Sequence, residues 1–139
     1  MEITTYSSSH LVKGEDLNHH GTLYAGRTAE WFVESGFIAA AATTNPENIV
    51  CLKIHGMTFT RSVKKGEVIT FNSKIVLCGK TSIVAYIEMI SKGQMVVSGF
   101  ITFINVDKDS NPLPHGIKMT AINPEDKILQ ERAKNLKKS

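Results

Sequence analysis

Cysteine is scarce in this chain. Its 139 residues include two, Cys51 and Cys78, with no C-x-x-C pair and no His/Cys ligand spacing. That is too few for a disulfide framework, so reduced thiols and a cytoplasmic location are the expectation. Long apolar runs are also lacking. The longest, Phe37 to Ala42, falls far short of a bilayer span, and no charged-then-apolar leader occupies Met1 to Leu11. Neither a membrane partner nor a signal peptide is expected. Charge is close to balanced: 16 basic and 13 acidic residues give +3, mostly from the C-terminal end. Without a basic stripe interleaved with aromatics, nucleic acid is not an expected partner.

Several catalytic signatures are missing as well. There is no GxSxG elbow and no GxxxxGK[ST] or GxGxxG phosphate loop. The five histidines, His10, His19, His20, His55 and His115, offer no i, i+4 pair, so no metal is expected.

What is present reads as one α+β domain over residues 1–139, the size of a single core. Its organising stretch is Asn18 to Ala42. Asn18, His19, His20 and Gly21 suit a tight loop. A helix follows over roughly Tyr24 to Ala42, free of proline and ending in four alanines. Thr43, Thr44, Asn45 and Pro46 stop it. The helix is apolar on most sides, so burial all round is expected. A stripe of Gly26, Ala29, Val33, Gly36 and Ala40 is small enough for a sheet to approach closely. The next stripe carries Glu30 and Glu34, either solvated along one edge or lining a cleft as an acid/base group.

From Ile49 the apolar period changes to two. Val50, Leu52 and Ile54 share a face; after Gly56 the apolar residues shift to Met57 and Phe59, which predicts a bulge or bend at the glycine. Three longer strands follow, Glu67 to Cys78, Thr81 to Ser91 and Gln94 to Val106, joined by Gly79-Lys80 and Lys92-Gly93. In the first, Ile69, Phe71, Ile75 and Leu77 are expected on one face. The last is apolar on both faces and belongs inside a sheet. A weakly amphipathic helix closes the chain at about 124–138. Short turns imply an antiparallel meander, and a sheet wrapped around the long helix is the economical architecture. Its open edges favour dimerisation.

The chemistry concentrates at the mouth of the long helix. Backbone N–H groups near Tyr24, Ala25 and Gly26 lack helical partners and sit at the positive end of the helix. Such groups can hold a carbonyl oxygen. Asn18 can position a water or that carbonyl, Glu34 or Glu30 can serve as a general base, and His20 can orient a substrate. Gly79-Lys80-Thr81-Ser82 is a hairpin turn with a lysine and hydroxyls suited to a phosphate. A carbonyl site, a water and a carboxylate together suggest ester or thioester hydrolysis.

Three motifs in order resemble the hotdog-fold acyl-CoA thioesterases of the cytosolic acyl-CoA hydrolase type. Asn18-His19-His20-Gly21-Thr22-Leu23-Tyr24-Ala25-Gly26 is similar to that family's N-x-x-G-x-(L/V/I)-(F/H)-G-G, which leads into an acid-bearing helix. Phe59-Thr60-Arg61-Ser62-Val63-Lys64-Lys65-Gly66-Glu67 is similar to F-x-R-P-V-x-x-G-D, and Gly79-Lys80-Thr81-Ser82 to G-(R/K)-T-S. The resemblance spans roughly residues 12–107. It implies a hotdog fold, with an antiparallel five- or six-stranded sheet around the central helix, assembled as a dimer or hexamer. The sites would lie between subunits. Asn18 matches the catalytic asparagine, and the acid would come from the other subunit. The Ala25 and Gly26 amides would polarise the thioester carbonyl. Arg61 and Gly79 to Ser82 would hold coenzyme A, which is part of the substrate; no other cofactor is implied.

The chain departs from the pattern at the family's aspartate, whose position falls on Val33, with Glu34 next to it. One step along a helix turns a side chain by about 100°. Either Glu34 or Glu30 replaces the acid, or the protein binds acyl-CoA without hydrolysing it. A hotdog dehydratase or hydratase is a third reading, with His20 as its only candidate histidine.

Overall fold

The computed structural model describes residues 1–136. Six strands form one antiparallel sheet: β1 (Tyr6–Leu11), β2 (Ile49–Ile54), β3 (Thr58–Phe59), β4 (Val68–Cys78), β5 (Ser82–Ser91) and β6 (Gln94–Asn105). The spatial order is β1-β4-β5-β6-β2, and β3 also pairs with β6. The long helix α1 covers Ala25–Thr43, and α2 covers Pro124–Leu136. The C-terminal helix therefore forms as expected, with residues 137–138 of the expected span outside the described residues. β6, apolar on both faces, lies in the interior of the sheet.

The two helices take opposite faces. On one side Phe32, Gly36, Ala39 and Ala40 of α1 are buried with Ile69, Phe71, Ile75, Ile87, Ile101 and Phe103. On the other, Leu129 and Ala133 of α2 pack with Val76, Val84, Tyr86 and Phe100. Polar links reinforce both contacts. The Ser73 hydroxyl donates to the Ser35 carbonyl at 2.7 Å between β4 and α1. Lys74 meets Asp126 of α2 at 2.6 Å, and the Gln130 amide donates to the Val76 carbonyl at 3.0 Å.

Three details differ from the pattern reading, and one follows it. First, α1 is buried on one side only: Glu30, Glu34, Ile38 and Ala42 are exposed. Its sheet-facing residues are Thr28, Phe32, Ser35, Gly36, Ala39 and Ala40, so Phe32 replaces Gly26 and Val33 in the expected stripe. The small residues at 36, 39 and 40 make room for that phenylalanine. Second, Val50, Leu52 and Ile54 are all exposed; β2 is an edge strand, and of its residues Ile49 alone is buried. Third, the register slip in β2 falls between Cys51 and Lys53. The bend expected at Gly56 is present between β2 and β3, at φ +122°, in addition to that slip. Fourth, a slip between Ile75 and Leu77 turns Val76 and Leu77 together toward α2.

The Gly56 bend is tied to one close approach. A side chain on Gly99 of β6 would run into the Gly56 carbonyl oxygen and, at 3.1 Å, the Phe32 ring. The backbone oxygen cannot rotate away. We expect Gly99→Ala to destabilise the protein by about 2 kcal/mol, read as a lower urea midpoint at unchanged slope.

Candidate active site

α1 ends where its sequence stops favouring a helix. At the C-terminal end Thr44 N–H returns to the Ala40 carbonyl at 3.0 Å, ahead of Pro46. At the N-terminal end Tyr24 is the cap residue, with no side-chain cap bond. Tyr24 N–H donates to the Asp16 carbonyl, and Arg27 and Thr28 N–H donate to the Tyr24 carbonyl. The amides between them, on Ala25 and Gly26, have no hydrogen-bond partner among the described residues. The Tyr24 ring lies over Gly26 and leaves no room for a Cβ there. Ala25 lines a cleft of about 330 Å³ with Asn18, Thr22, Leu23, Thr28, Phe59, Thr60, Arg61, Ser62, Val63 and Met89.

Asn18 is held at this cleft by its own loop. Its Oδ1 accepts from His20 N–H at 2.9 Å and Thr22 N–H at 3.2 Å. These backbone donors can bond only to the oxygen, so the orientation of the amide follows. Its Nδ2 donates to the Thr22 hydroxyl at 3.1 Å, leaving one N–H for a ligand. Gly21, at φ +80°, lets the loop close so that Asn18 N–H reaches the Thr22 carbonyl at 2.7 Å.

Arg61 is fully engaged. Its Nε donates to Gln94 Oε1 at 3.2 Å, and its Nη1 to the Ser62 carbonyl and Glu67 Oε2 at 2.9 and 3.4 Å. Its Nη2 donates to Glu67 Oε1 and the Ser91 carbonyl at 3.0 and 3.3 Å. All five guanidinium N–H groups are thus used inside the chain. Glu67 is buried and also accepts from Lys64 N–H and the Ser91 hydroxyl, both at 2.7 Å. Burial pushes its carboxyl up. The Lys64 amide, the Arg61 guanidinium and the Ser91 hydroxyl outweigh that and hold it at about 2, against an ordinary 4.5.

The remaining sequence candidates are dispersed. Glu34 is exposed on the outer side of α1 and does not line the Asn18 cleft. Glu30 is exposed and pairs with Arg27 at 3.5 Å. Gly26 opens on a neighbouring pocket with Asp16, Tyr24, Arg27 and Glu30. His20 is exposed, its ring 4.0 Å from that of His19. Gly79, Lys80 and Thr81 form the turn between β4 and β5. Ser82 enters a second cleft, of about 450 Å³, with Leu52, Lys53, His55, Val84, Thr102, Ala133 and Leu136. The structure thus brings together Asn18, Ala25 and Arg61 and leaves Glu34, His20 and the hairpin turn outside their cleft. Thr28, Thr60 and Met89 were missed as cleft residues. Thr28 was legible one turn into the helix, on the same side as Ala25; Met89 faces the cleft only through strand pairing.

Neither thiol is poised as a nucleophile. Burial pushes Cys78 up to about 11, and desolvation also raises Cys51 against the Lys53 amide. Among the described residues no group of three or more His, Cys, Asp and Glu is placed to hold a metal. No helix among them is long and apolar enough to cross a membrane.

A sheet with the long helix on one face is the architecture of a hotdog domain, and solved structures carry the same fold. An apo-hexameric acyl-CoA thioesterase superposes with a TM-score of 0.89 at 23% identity, covering 96% of this chain and 88% of that one. An acyl-CoA hydrolase from Staphylococcus aureus, solved with butyryl coenzyme A, coenzyme A and coenzyme A disulfide, gives 0.86 at 17%, covering 96% and 82%. By sequence the profile of the thioesterase superfamily matches residues 20–98. The chain belongs to that superfamily. The rat cytosolic acyl coenzyme A thioester hydrolase is 28% identical over 123 residues, 79% of this chain and 32% of the relative. An uncharacterized acyl-CoA thioester hydrolase of Bacillus subtilis is 20% identical over 105 residues, 71% of this chain and 60% of the relative. The chain therefore spans about a third of the mammalian relative's length.

The Glu67 shift has a defined sign. A carboxyl held below its unfolded value contributes stability that is complete above pH 4.5 and is lost as pH falls toward 2. Glu67→Gln should cost about 3 kcal/mol at neutral pH. Denaturant midpoints from pH 7 to 2 should show the difference between variant and wild type shrinking across the acid window.

Proposed function

We propose that the protein hydrolyses acyl-CoA thioesters to free coenzyme A and a carboxylic acid. The observation that carries this reading is the unpartnered N–H groups at the positive end of α1, on Ala25, which lines the Asn18 cleft, and on Gly26, which opens on the adjoining pocket. Membership of the thioesterase superfamily supports it.

The thioester carbonyl oxygen takes these two N–H groups, which strengthen as negative charge develops on it. The spare Asn18 N–H orients the attacking water or the carbonyl. A carboxylate takes the proton of the water as oxygen bonds to the carbonyl carbon, the tetrahedral intermediate collapses, and the coenzyme A thiolate leaves and is protonated. Within one chain no carboxylate joins Ala25 and Asn18 in the cleft lining; Glu67 lies behind it, neutralised by Arg61. The base in this reading is Glu34 from a second copy of the chain, in a dimer or a hexamer. The exposed outer side of α1, with Glu34 and Ile38, makes that contact. Lys80, Thr81 and Ser82, with Lys53 at the second cleft, supply positive charge and hydroxyls for the coenzyme A phosphates. Arg61, with its donors occupied, supports the cleft wall.

A non-catalytic acyl-CoA binding protein is the second reading. Val33 favours it: the aspartate position of the resemblance is a half-buried valine packed against the core.

Release of free coenzyme A from short, medium, long and aromatic acyl-CoAs separates the two. Under the hydrolysis reading, Glu34→Ala lowers kcat by about a hundredfold or more and Asn18→Ala by about tenfold to a hundredfold. His20→Ala has little effect. Micromolar acyl-CoA binding with no release from the wild type would overturn the reading in favour of a binding protein.

A further inference from the structure

We infer that Glu67 and Arg61 form a clasp that sets the position of the Asn18 loop, which makes Glu67 a positioning residue for the hydrolysis proposed above. The inference rests on that reading for its kinetic consequence but not for its structural one.

The connection runs through three short links. The Glu67 carboxylate accepts from Lys64 N–H at 2.7 Å and so fixes the backbone just before Gly66. Lys64 bridges to Thr22, and Leu23 N–H donates to the Val63 carbonyl at 2.8 Å. Thr22 in turn bonds Asn18 through both its backbone and its hydroxyl. The clasp holds the same segment from the other side. Arg61 spans from Glu67 to the Ser62 carbonyl and, across the β5–β6 hairpin, to Ser91 and Gln94. Of the segment that lines the cleft with Asn18 and Ala25, Thr60 is tied to Met95 and Val96 of β6, and from Arg61 to Lys64 the buried Glu67 carboxylate holds both ends.

The geometry points away from Arg61 as a ligand for coenzyme A. A guanidinium that reached out to a phosphate would abandon Glu67, leaving a buried charge unpaired. The two roles predict opposite kinetics when Glu67 is neutralised. A phosphate-binding arginine is freed by Glu67→Gln and binds more tightly. A clasp is broken, and the Asn18 loop loses its seat.

Amide hydrogen exchange and steady-state hydrolysis, measured on wild type, Glu67→Gln and Glu67→Asp, test this. The clasp predicts that Glu67→Gln raises exchange about tenfold or more at the Asn18 and Leu23 amides, while the paired amides of β5 and β6 stay protected. It predicts a fall in kcat of about tenfold with KM changed by less than about threefold, partly recovered in Glu67→Asp. Unchanged exchange at Asn18 and Leu23 would overturn the clasp, as would a lower KM at constant kcat. A wild type that releases no coenzyme A would sink the hydrolysis reading, while the exchange comparison would still decide the clasp. Should Glu67→Gln fail to fold, Ser91→Ala removes one hydrogen bond to the same carboxylate, and smaller exchange increases at the same two amides are expected; none would count against the clasp.

Discussion

A sheet that is apolar on both faces has to be covered twice, and most of this structure follows from that constraint. β4, β5 and β6 present Ile69, Phe71, Ile75, Ile87, Ile101 and Phe103 to one side and Val76, Val84, Tyr86 and Phe100 to the other. Burying one of these side chains is worth about 2 kcal/mol, so an uncovered face would forfeit most of the stability of a small domain. α1 takes the first face and α2 the second. The chain order then matters. α1 follows edge strand β1 and precedes the other five strands, so its N-terminus is reached by the segment that leaves β1 beside the start of β4. That loop is the Asn18 segment, and the cleft lies where it meets the residues before β4.

Ionic contacts act here as ties between elements. Lys74 joins β4 to Asp126 of α2. Arg27 of α1 reaches the buried Asp16, whose carboxylate also accepts from Lys13 N–H. Arg61 joins the segment after β3 to Glu67 at the start of β4. Each pair includes a buried carboxylate with backbone or side-chain N–H donors around it. Such a carboxylate is expensive to leave unpaired, so each tie gives its segment one position. A buried ion pair adds little net stability over a well-packed apolar pair, and its contribution in this fold is to hold positions.

The long period-two runs and the alanine-rich helix were legible because pattern and propensity agree: from Val68 to Asn105 each residue's side of the sheet follows its parity until a slip intervenes. The slips were not legible. At Ile75–Leu77 an aliphatic follows an aliphatic, so the pattern looks the same whether or not parity changes. The one-sided burial of α1 was misread for a related reason. Phe37 and Ile38 are as apolar as Phe32, and composition cannot say which of them meets a sheet. At the site, Asn18, Ala25 and Arg61 could be found because loop chemistry, a helix start and motif order locate them. The saturation of Arg61 could not, because its partners Ser91 and Gln94 lie thirty residues away in sequence.

The position of Glu34 links the fold to the chemistry. A residue nine positions beyond Ala25, about two and a half turns along the same helix, cannot curl back to the cleft, since the first turn of α1 already lines the opening. Moving the acid inward to position 33 does not help within one chain, because Val33 packs with the core cluster. The outer side of α1, with Glu34 and Ile38, and the edge strand β2, with Val50, Leu52 and Ile54, are instead exposed. In the reading proposed above, the described residues of a single copy hold the amides for the carbonyl at one end of α1 and the Glu34 carboxylate away from them. Under the hydrolysis reading, assembly unites the two halves, so that a lone chain binds without cleaving.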